Sequence, residues 1–575
     1  MLKLLRFLEP YRQLLTVVLS LAFLSSLANL FLPKLMADIV DVGIIQGDIP
    51  YIVRIGSIML LIAIFGTACA VTSSYFSAKV ATGFGRNVRE RVFTQVASFS
   101  LHEFDSFGTA SLITRTTNDP TQVQQVLTMM LTMTVTAPMM IVGGIILALS
   151  QDPALTAVLV AAIPFVAALF LLVMRRAIPL FQVMQAKVDR LNLVIDESLS
   201  GVRVIRAFDR NAHEHRRFDA ANLDLTNTAI QVNRLMALLM PGMMLILNLT
   251  TLAVLWFGSI RVSEGHIQIG ALIAFLQYAM FILWSVLMVT VIFVMFPRAE
   301  ASATRVNEVL AVDPDIVDPA QPRAAEAQRG HVEFEHVTFS YPGAEEPALY
   351  DVSFSANAGE VTAIIGGTGS GKSTLVNLIP RFYDVDHGSV LVDGVDVRQM
   401  QQMELRERIG FVPQKALLFS GSIGDNLRFG KADASEAELE RAARVAQATE
   451  FVAGMPEGLD SAVSQGGINL SGGQKQRLSI ARALVKQPEI YVFDDSFSAL
   501  DFATDARLRA ALKAETSGAT VVIVSQRVGT IMDADRIVVL DEGHVVGIGK
   551  HRELLEACPV YREIVDSQIS LQGVA

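Results

Sequence analysis

The stretch GGTGSGKST, Gly366 to Thr374, decides the reading of this 575-residue chain. It follows the apolar run Val361–Ile365 and leads into Leu375–Ile379, so the spacing predicts a strand, a glycine-rich loop and a helix. Gly366, Gly371, Lys372 and Ser373 occupy the fixed positions of G-x-x-x-x-G-K-[ST]. Glycine lets a loop backbone curl until its N–H groups converge on phosphate oxygens, and the helix N-terminus adds partial positive charge. Gly366, Gly367, Thr368, Gly369, Ser370, Gly371, Lys372, Ser373 and Thr374 are therefore predicted to bind a nucleotide. Lys372 suits its β/γ-phosphates, and Ser373 can hold Mg²⁺.

The rest of the chain has a different character. Hydrophobic residues make up 51% and charged residues only 18%, with a mean hydropathy of +0.43. Such values suit a membrane protein better than a soluble one. A net charge of −10 argues against a nucleic-acid binder. The two cysteines, Cys69 and Cys558, stand in opposite halves, so no disulfide framework or zinc cluster is expected.

Six apolar runs near 14–37, 53–78, 126–149, 153–175, 236–260 and 269–296 are long enough to span a bilayer. Residues 1–12 mix Lys3, Arg6 and Arg12 with leucines, which reads as an amphipathic interfacial helix. A signal peptide fits less well, because the following apolar stretch runs too long and shows no small-residue cleavage site. The segment 38–51 carries Asp38, Asp41 and Asp48, whereas 79–115 and 175–217 carry many Arg residues. Positive loops stay inside, so both termini and the two long loops are expected to be cytoplasmic. Arg261, just before the sixth span, is an exception. Bends are expected in the inside loops at Thr114–Asp119 and at Ala207–Asn211. Each reads either as a contact that takes force from a cytoplasmic domain or as a solvated turn. Pro138 and Pro241 are expected to kink their helices. Methionines such as Met139, Met240, Met243, Met244 and Met288 suit either a pocket for apolar ligands or plain packing. The spans lack buried Asp, Glu or Lys, which argues against ion-coupled transport and leaves the nucleotide as the energy source.

Residues 1–312 thus read as a transmembrane domain, 313–328 as a linker and 329–575 as an α/β nucleotide-binding domain. In that domain Tyr341 ends a strand, where its ring is either an adenine platform or an ordinary strand aromatic. Gln414 ends the strand-like run IGFVPQ and can reach Mg²⁺ or an attacking water. Leu470–Gln474 is LSGGQ, so Ser471, Gly472, Gly473 and Gln474 form a second phosphate-ready helix start. One chain with two cradles points to a head-to-tail dimer in which each LSGGQ closes over the partner's nucleotide. The run IYVF ends in Asp494 and Asp495. Carboxylates at such a strand end face the ligand crevice, where Asp494 suits Mg²⁺ and the next position the attacking water. Asp501 follows in the turn SALD, and Gln526 ends a further strand.

These motifs, in order over about 200 residues, resemble an ATP-binding cassette (ABC) protein, and with six preceding spans a half-transporter of the exporter type. The resemblance implies ATP and Mg²⁺ as cofactors, paired membrane and nucleotide domains, and alternating access driven by ATP. It also implies that the inside bends are coupling helices, the second docking on the partner's nucleotide domain.

Two positions depart from the family's pattern. Asp495 stands where it has Glu, and Gln526 where it has His. The shorter side chain leaves the carboxylate roughly 1 Å short, a misplacement that can cost about 10²-fold in rate. Gln526 carries no proton or charge, though it can hydrogen-bond a phosphate. With LSGGQ intact, the expectation is a heterodimer. This chain would supply a degenerate site and the partner's signature, as in heterodimeric bacterial multidrug or lipid exporters of the inner membrane. The cargo would be amphipathic or apolar. An importer or lipid flippase for siderophores or fatty acids, and a regulatory ATP-binding subunit, are the other readings.

Overall fold

The computed structural model describes residues 1–325 and 329–572. Glu326 to Gln328, the end of the predicted linker, and the final three residues of the predicted nucleotide domain lie outside the described residues. The chain divides into two compact units. One comprises Met1–Ala97 and Thr109–Val312, the other Ser98–Gly108 and the chain from Asp313 onward.

The first unit is helical. Six of its helices are long and apolar enough to cross a membrane. Such runs favour helix because lipid offers no partner for an unpaired backbone N–H or C=O. Ile49–Ala97, Thr109–Gln151 and Pro153–Ser200 contain 49, 43 and 48 residues. At 1.5 Å per residue they run roughly 65–75 Å, more than twice an apolar layer of about 30 Å. Pro138 leaves the helix Thr109–Gln151 unbroken, whereas Pro241 falls in the first turn of Leu239–Ser263, just after Asn211–Ala237 ends. A first-turn N–H has no intrahelical partner, so proline costs nothing there.

Two acids between the spans are built into helix ends. Asp41 accepts the N–H groups of Gly270 at 2.6 Å and Ala271 at 3.1 Å, at the start of Ile269–Leu310. Asp152 caps Pro153–Ser200 through the Leu155 N–H at 2.8 Å and pairs with Arg261 at 2.5 Å. The arginine that breaks the loop-charge pattern is therefore neutralised locally.

The expected bend at Thr114–Asp119 is corrected by the structure. Those residues lie inside the continuous helix Thr109–Gln151. Thr114, Thr116 and Thr117 satisfy their hydroxyls on the carbonyls four residues back. Asp119, fully buried, takes a bidentate pair from Arg305, and Arg115 bonds Glu308 at 2.7 Å. The turn comes earlier, in the short helix Leu101–Phe107. Ser100 and Glu103 form its capping box, and Gly108 ends it at φ 72°, a left-handed conformation that favours glycine. This segment, placed by sequence in the membrane domain, packs with the second unit: Glu103 accepts the Asp315 N–H at 2.7 Å. The second bend falls where expected, between Val202–Ala207 and Asn211–Ala237, with Asp209 at φ 48°.

The second unit is built on a six-stranded sheet. Its order is His544–Gly549, Arg536–Asp541, Val361–Gly366, Thr520–Val524, Ile490–Asp494, Ile409–Val412. All neighbours are parallel except the edge strand His544–Gly549. Its central strands alternate between two cores, as a period of two requires. Ala363, Ile365, Tyr491, Phe493, Val521 and Ile523 face one; Ile364, Val492, Val522, Val524, Val538 and Leu540 face the other. Burial on both faces explains why these runs are continuously apolar. The second core is closed by a sheet ordered Leu349–Ala356, Val332–Phe339, His387–Val392, Val395–Asp396.

Candidate nucleotide site

Register brings the chemistry together. Val524 pairs with Ile364 on one side and Asp494 on the other, so the parallel strands end side by side. The glycine-rich loop, the two aspartates, Gln414 and Gln526 all follow these carboxyl ends, where ligands bind in open α/β sheets.

The loop turns into the helix Lys372–Leu378 through Gly371 at φ 94°, where a Cβ would sit 2.7 Å from the Ala348 carbonyl oxygen. The Lys372 ammonium donates to the loop's own carbonyls, at 3.0 Å to Gly366 and 2.5 Å to Gly367, and lies 3.3 Å from the Ser370 hydroxyl. Burial pushes its pKa below 10.5, against the pull of Asp495 and Asp494.

The Ser373 hydroxyl donates to Asp494 Oδ1 at 3.1 Å. Asp494 is 5% exposed, and burial raises its carboxyl above 3.8, with Asp495 adding to the rise and Ser373 and Lys372 opposing it. A hydroxyl beside a carboxylate is the hard-oxygen pair that Mg²⁺ uses with phosphates and water. Among the described residues no cluster of three His, Cys, Asp or Glu side chains is placed to hold a metal.

Asp495 is half-buried at φ 43°, in the left-handed region that Asp tolerates better than most residues. Burial raises its carboxyl; Gln414, Ser498, Arg527 and Lys372 pull the other way. The Gln414 amide reaches Asp495 Oδ2 at 3.5 Å, a long contact. Tyr341 bonds the Thr374 hydroxyl at 2.9 Å, packs edge-on to Phe339 and Tyr383, and stays 38% exposed. Gln526 is exposed, its carbonyl accepting from Gln568 at 2.7 Å.

The signature residues form a second group. Ser471 caps the helix Gly472–Lys486, and Ser471 and Gln474 satisfy each other reciprocally at 2.8 and 3.3 Å. Gly473 lies against the Ala499 carbonyl, and Asp501 caps Phe502–Glu515 through the Thr504 N–H at 2.9 Å. Hydrogen bonds from the Thr504 side chain and N–H keep the Asp501 carboxyl below its ordinary range, with Arg507 adding to the fall. Among the described residues no hydrogen bond joins Ser471–Gln474 to Gly366–Thr374. Sequence reasoning found both groups but missed Tyr383, Arg527 and Gln568. No local motif marks them, since each acts on residues far away in the chain.

The fold and both groups define a membrane-spanning nucleotide-driven transporter half. Residues 15–286 match the ABC transporter transmembrane region and residues 349–498 the ABC transporter domain. The chain belongs to the ABC transporters and is a half-transporter of the exporter fold. An uncharacterised ABC transporter ATP-binding protein of Mycobacterium tuberculosis is 44% identical over 564 residues, 97% of each chain. YfiB of Bacillus subtilis, also an ABC transporter ATP-binding protein, is 39% identical over 99% of both. An ATP-dependent lipid A-core flippase of Pseudomonas fluorescens is 32% identical over 88% of this chain and 84% of its own. A bacterial Atm1-family ABC exporter with ATP bound superposes with a TM-score of 0.81 at 25% identity, covering 97% of this chain and 99% of that one.

Proposed function

We propose that this chain is one half of a heterodimeric, ATP-driven exporter, binding ATP at its own loop but hydrolysing it slowly. Its intact signature completes the partner's competent site. The observation that carries this reading is Asp495: a carboxylate one methylene short, held toward Gln414, in a crevice whose switch position is the non-ionisable Gln526. Ser373 and Asp494 would hold Mg²⁺ with Gln414 nearby, and the ion would neutralise β/γ-phosphate charge. Lys372 exchanges its loop carbonyls for phosphate oxygens. Tyr341 offers an open ring face to the adenine, and Gln526 a hydrogen bond to the γ-phosphate. Ser471 to Gln474 close over the partner's ATP, with Asp501 at the seam.

Exposed Val204 and Phe208 at the second bend, 61% and 75% exposed, suit a segment that docks on the partner's nucleotide domain. The cargo is amphipathic or apolar: Met240, Met243, Met244 and Trp284 line one apolar cleft of the membrane unit. A lipid is the second candidate for cargo, favoured by the flippase relative. The arginine-rich loops support a bacterial inner-membrane protein with cytoplasmic nucleotide domains.

Transport into inside-out vesicles by the assembled pair tests the asymmetry. Substituting the partner's loop lysine is expected to abolish transport, whereas Lys372→Ala lowers it by roughly tenfold or less. Equal, complete loss from both would contradict unequal sites. No loss at all from Lys372→Ala would make this chain a regulatory scaffold.

A further inference from the structure

The switch segment Gln526–Val528 is held from a distance. Gln568, on the C-terminal helix Pro559–Gln572, uses both ends of its amide on this backbone. Its Nε2 donates to the Gln526 carbonyl at 2.7 Å, and its Oε1 accepts the Val528 N–H at 2.9 Å. A side-chain amide spanning a carbonyl and an N–H two residues apart fixes the backbone as a strand neighbour would. Locally, the Ser525 hydroxyl bonds the Arg527 N–H at 3.0 Å and the Arg527 carbonyl at 3.3 Å. The helix itself is anchored: Tyr561 and Val565 share a core with Val528 and Ile531.

The held segment aims one cation. Arg527 Nη2 donates to the Ser498 carbonyl at 3.0 Å, and the Ser498 hydroxyl donates to the Asp495 carbonyl at 2.9 Å. A continuous path thus runs from Gln568 through the switch backbone and Arg527 to the turn that carries Asp495. With no ionisable group at Gln526, Arg527 is the cation of the switch segment.

We propose that Gln568 is a positioning residue for ATP hydrolysis, setting the switch backbone and through Arg527 the Asp495 turn. The inference rests on the site described above but not on that site being slow.

The test uses the full chain in lipid nanodiscs. Single-turnover decay of bound, radiolabelled ATP is followed with the natural chain, Gln568→Leu and Gln568→Glu, each also with Asp495→Glu added. ATP affinity and hydrogen exchange of the 524–530 backbone are measured alongside. Gln568→Leu should quicken exchange in this segment and, in the faster Asp495→Glu background, slow hydrolysis about threefold to tenfold, with ATP affinity changed less than about twofold. Gln568→Glu should be slow at pH 8, where its carboxylate cannot donate to the Gln526 carbonyl. It should recover toward the natural chain as pH falls, because the protonated acid restores both bonds. Unchanged exchange in Gln568→Leu, or faster exchange with an unchanged hydrolysis rate in the Asp495→Glu background, overturns the proposal. A fast single turnover in the natural chain would instead overturn the slow site and leave the Gln568 comparison standing.

Discussion

Asp495 and Asp494 are adjacent carboxyls in different surroundings. Asp494 is buried against Ser373, the pair proposed to hold Mg²⁺; Asp495 turns away in a left-handed conformation toward Gln414. Lengthening the second by one methylene should return its carboxylate to the water position. Asp495→Glu is expected to raise Mg²⁺-ATP turnover of this site by roughly 10–10²-fold, read by single-turnover decay of bound ATP. The left-handed backbone there favours Asp, so some of the gain is lost to strain. The pH dependence has a definite sign. Burial raises both carboxyls above 3.8, so their protonated forms persist to higher pH than in a free aspartate. Mg²⁺-dependent ATP binding should weaken on the acid side, beginning above the ordinary aspartate range, and ATP binding without Mg²⁺ should lack that limb. Titration of ATP affinity with and without the metal checks this. The loop, the signature and the aspartates were legible because each lies in one continuous stretch. Tyr341's bond to Thr374 and Gln568's hold on the switch were not, because 33 and about 40 residues separate the partners.

Among the elements, the extended helices show what sequence reading captured and where it failed. Six apolar runs sufficed to place the spans, since composition alone marks them. The polar run Thr114–Asp119 looked like a bend because hydroxyls and Asn usually mark turns. In the folded chain the threonines bond back along their own helix, and Asp119 is spoken for by an arginine 186 residues away. The true turn had a local signal, Ser100 and Glu103 three apart, followed by Gly108. Breaking the long-range pair makes the point measurable. Arg305→Met strands a fully buried carboxylate, although Arg305 itself is 44% exposed, so about 2 kcal/mol of stability should be lost. Thermal inactivation of the purified chain should shift down by several degrees, and Asp119→Asn added to Arg305→Met should recover part of it. An additive double variant would contradict the pairing.

At the scale of the molecule, the family and the exporter fold were legible because motif order is one-dimensional. The head-to-tail dimer expected from two phosphate cradles in one chain rests on indirect marks: a capped signature helix that, among the described residues, has no hydrogen bond to the phosphate loop, and apolar side chains exposed at the second bend. Under the proposed function this chain binds ATP yet depends on another for turnover. The most direct test is Mg²⁺-ATP turnover by the chain purified alone in lipid nanodiscs, with Asp494→Ala as the blank and bound ATP measured in parallel. Bound ATP with turnover no greater than the blank is the expected result. Robust turnover by the chain alone would contradict it, making Asp495 a working group and a homodimer sufficient.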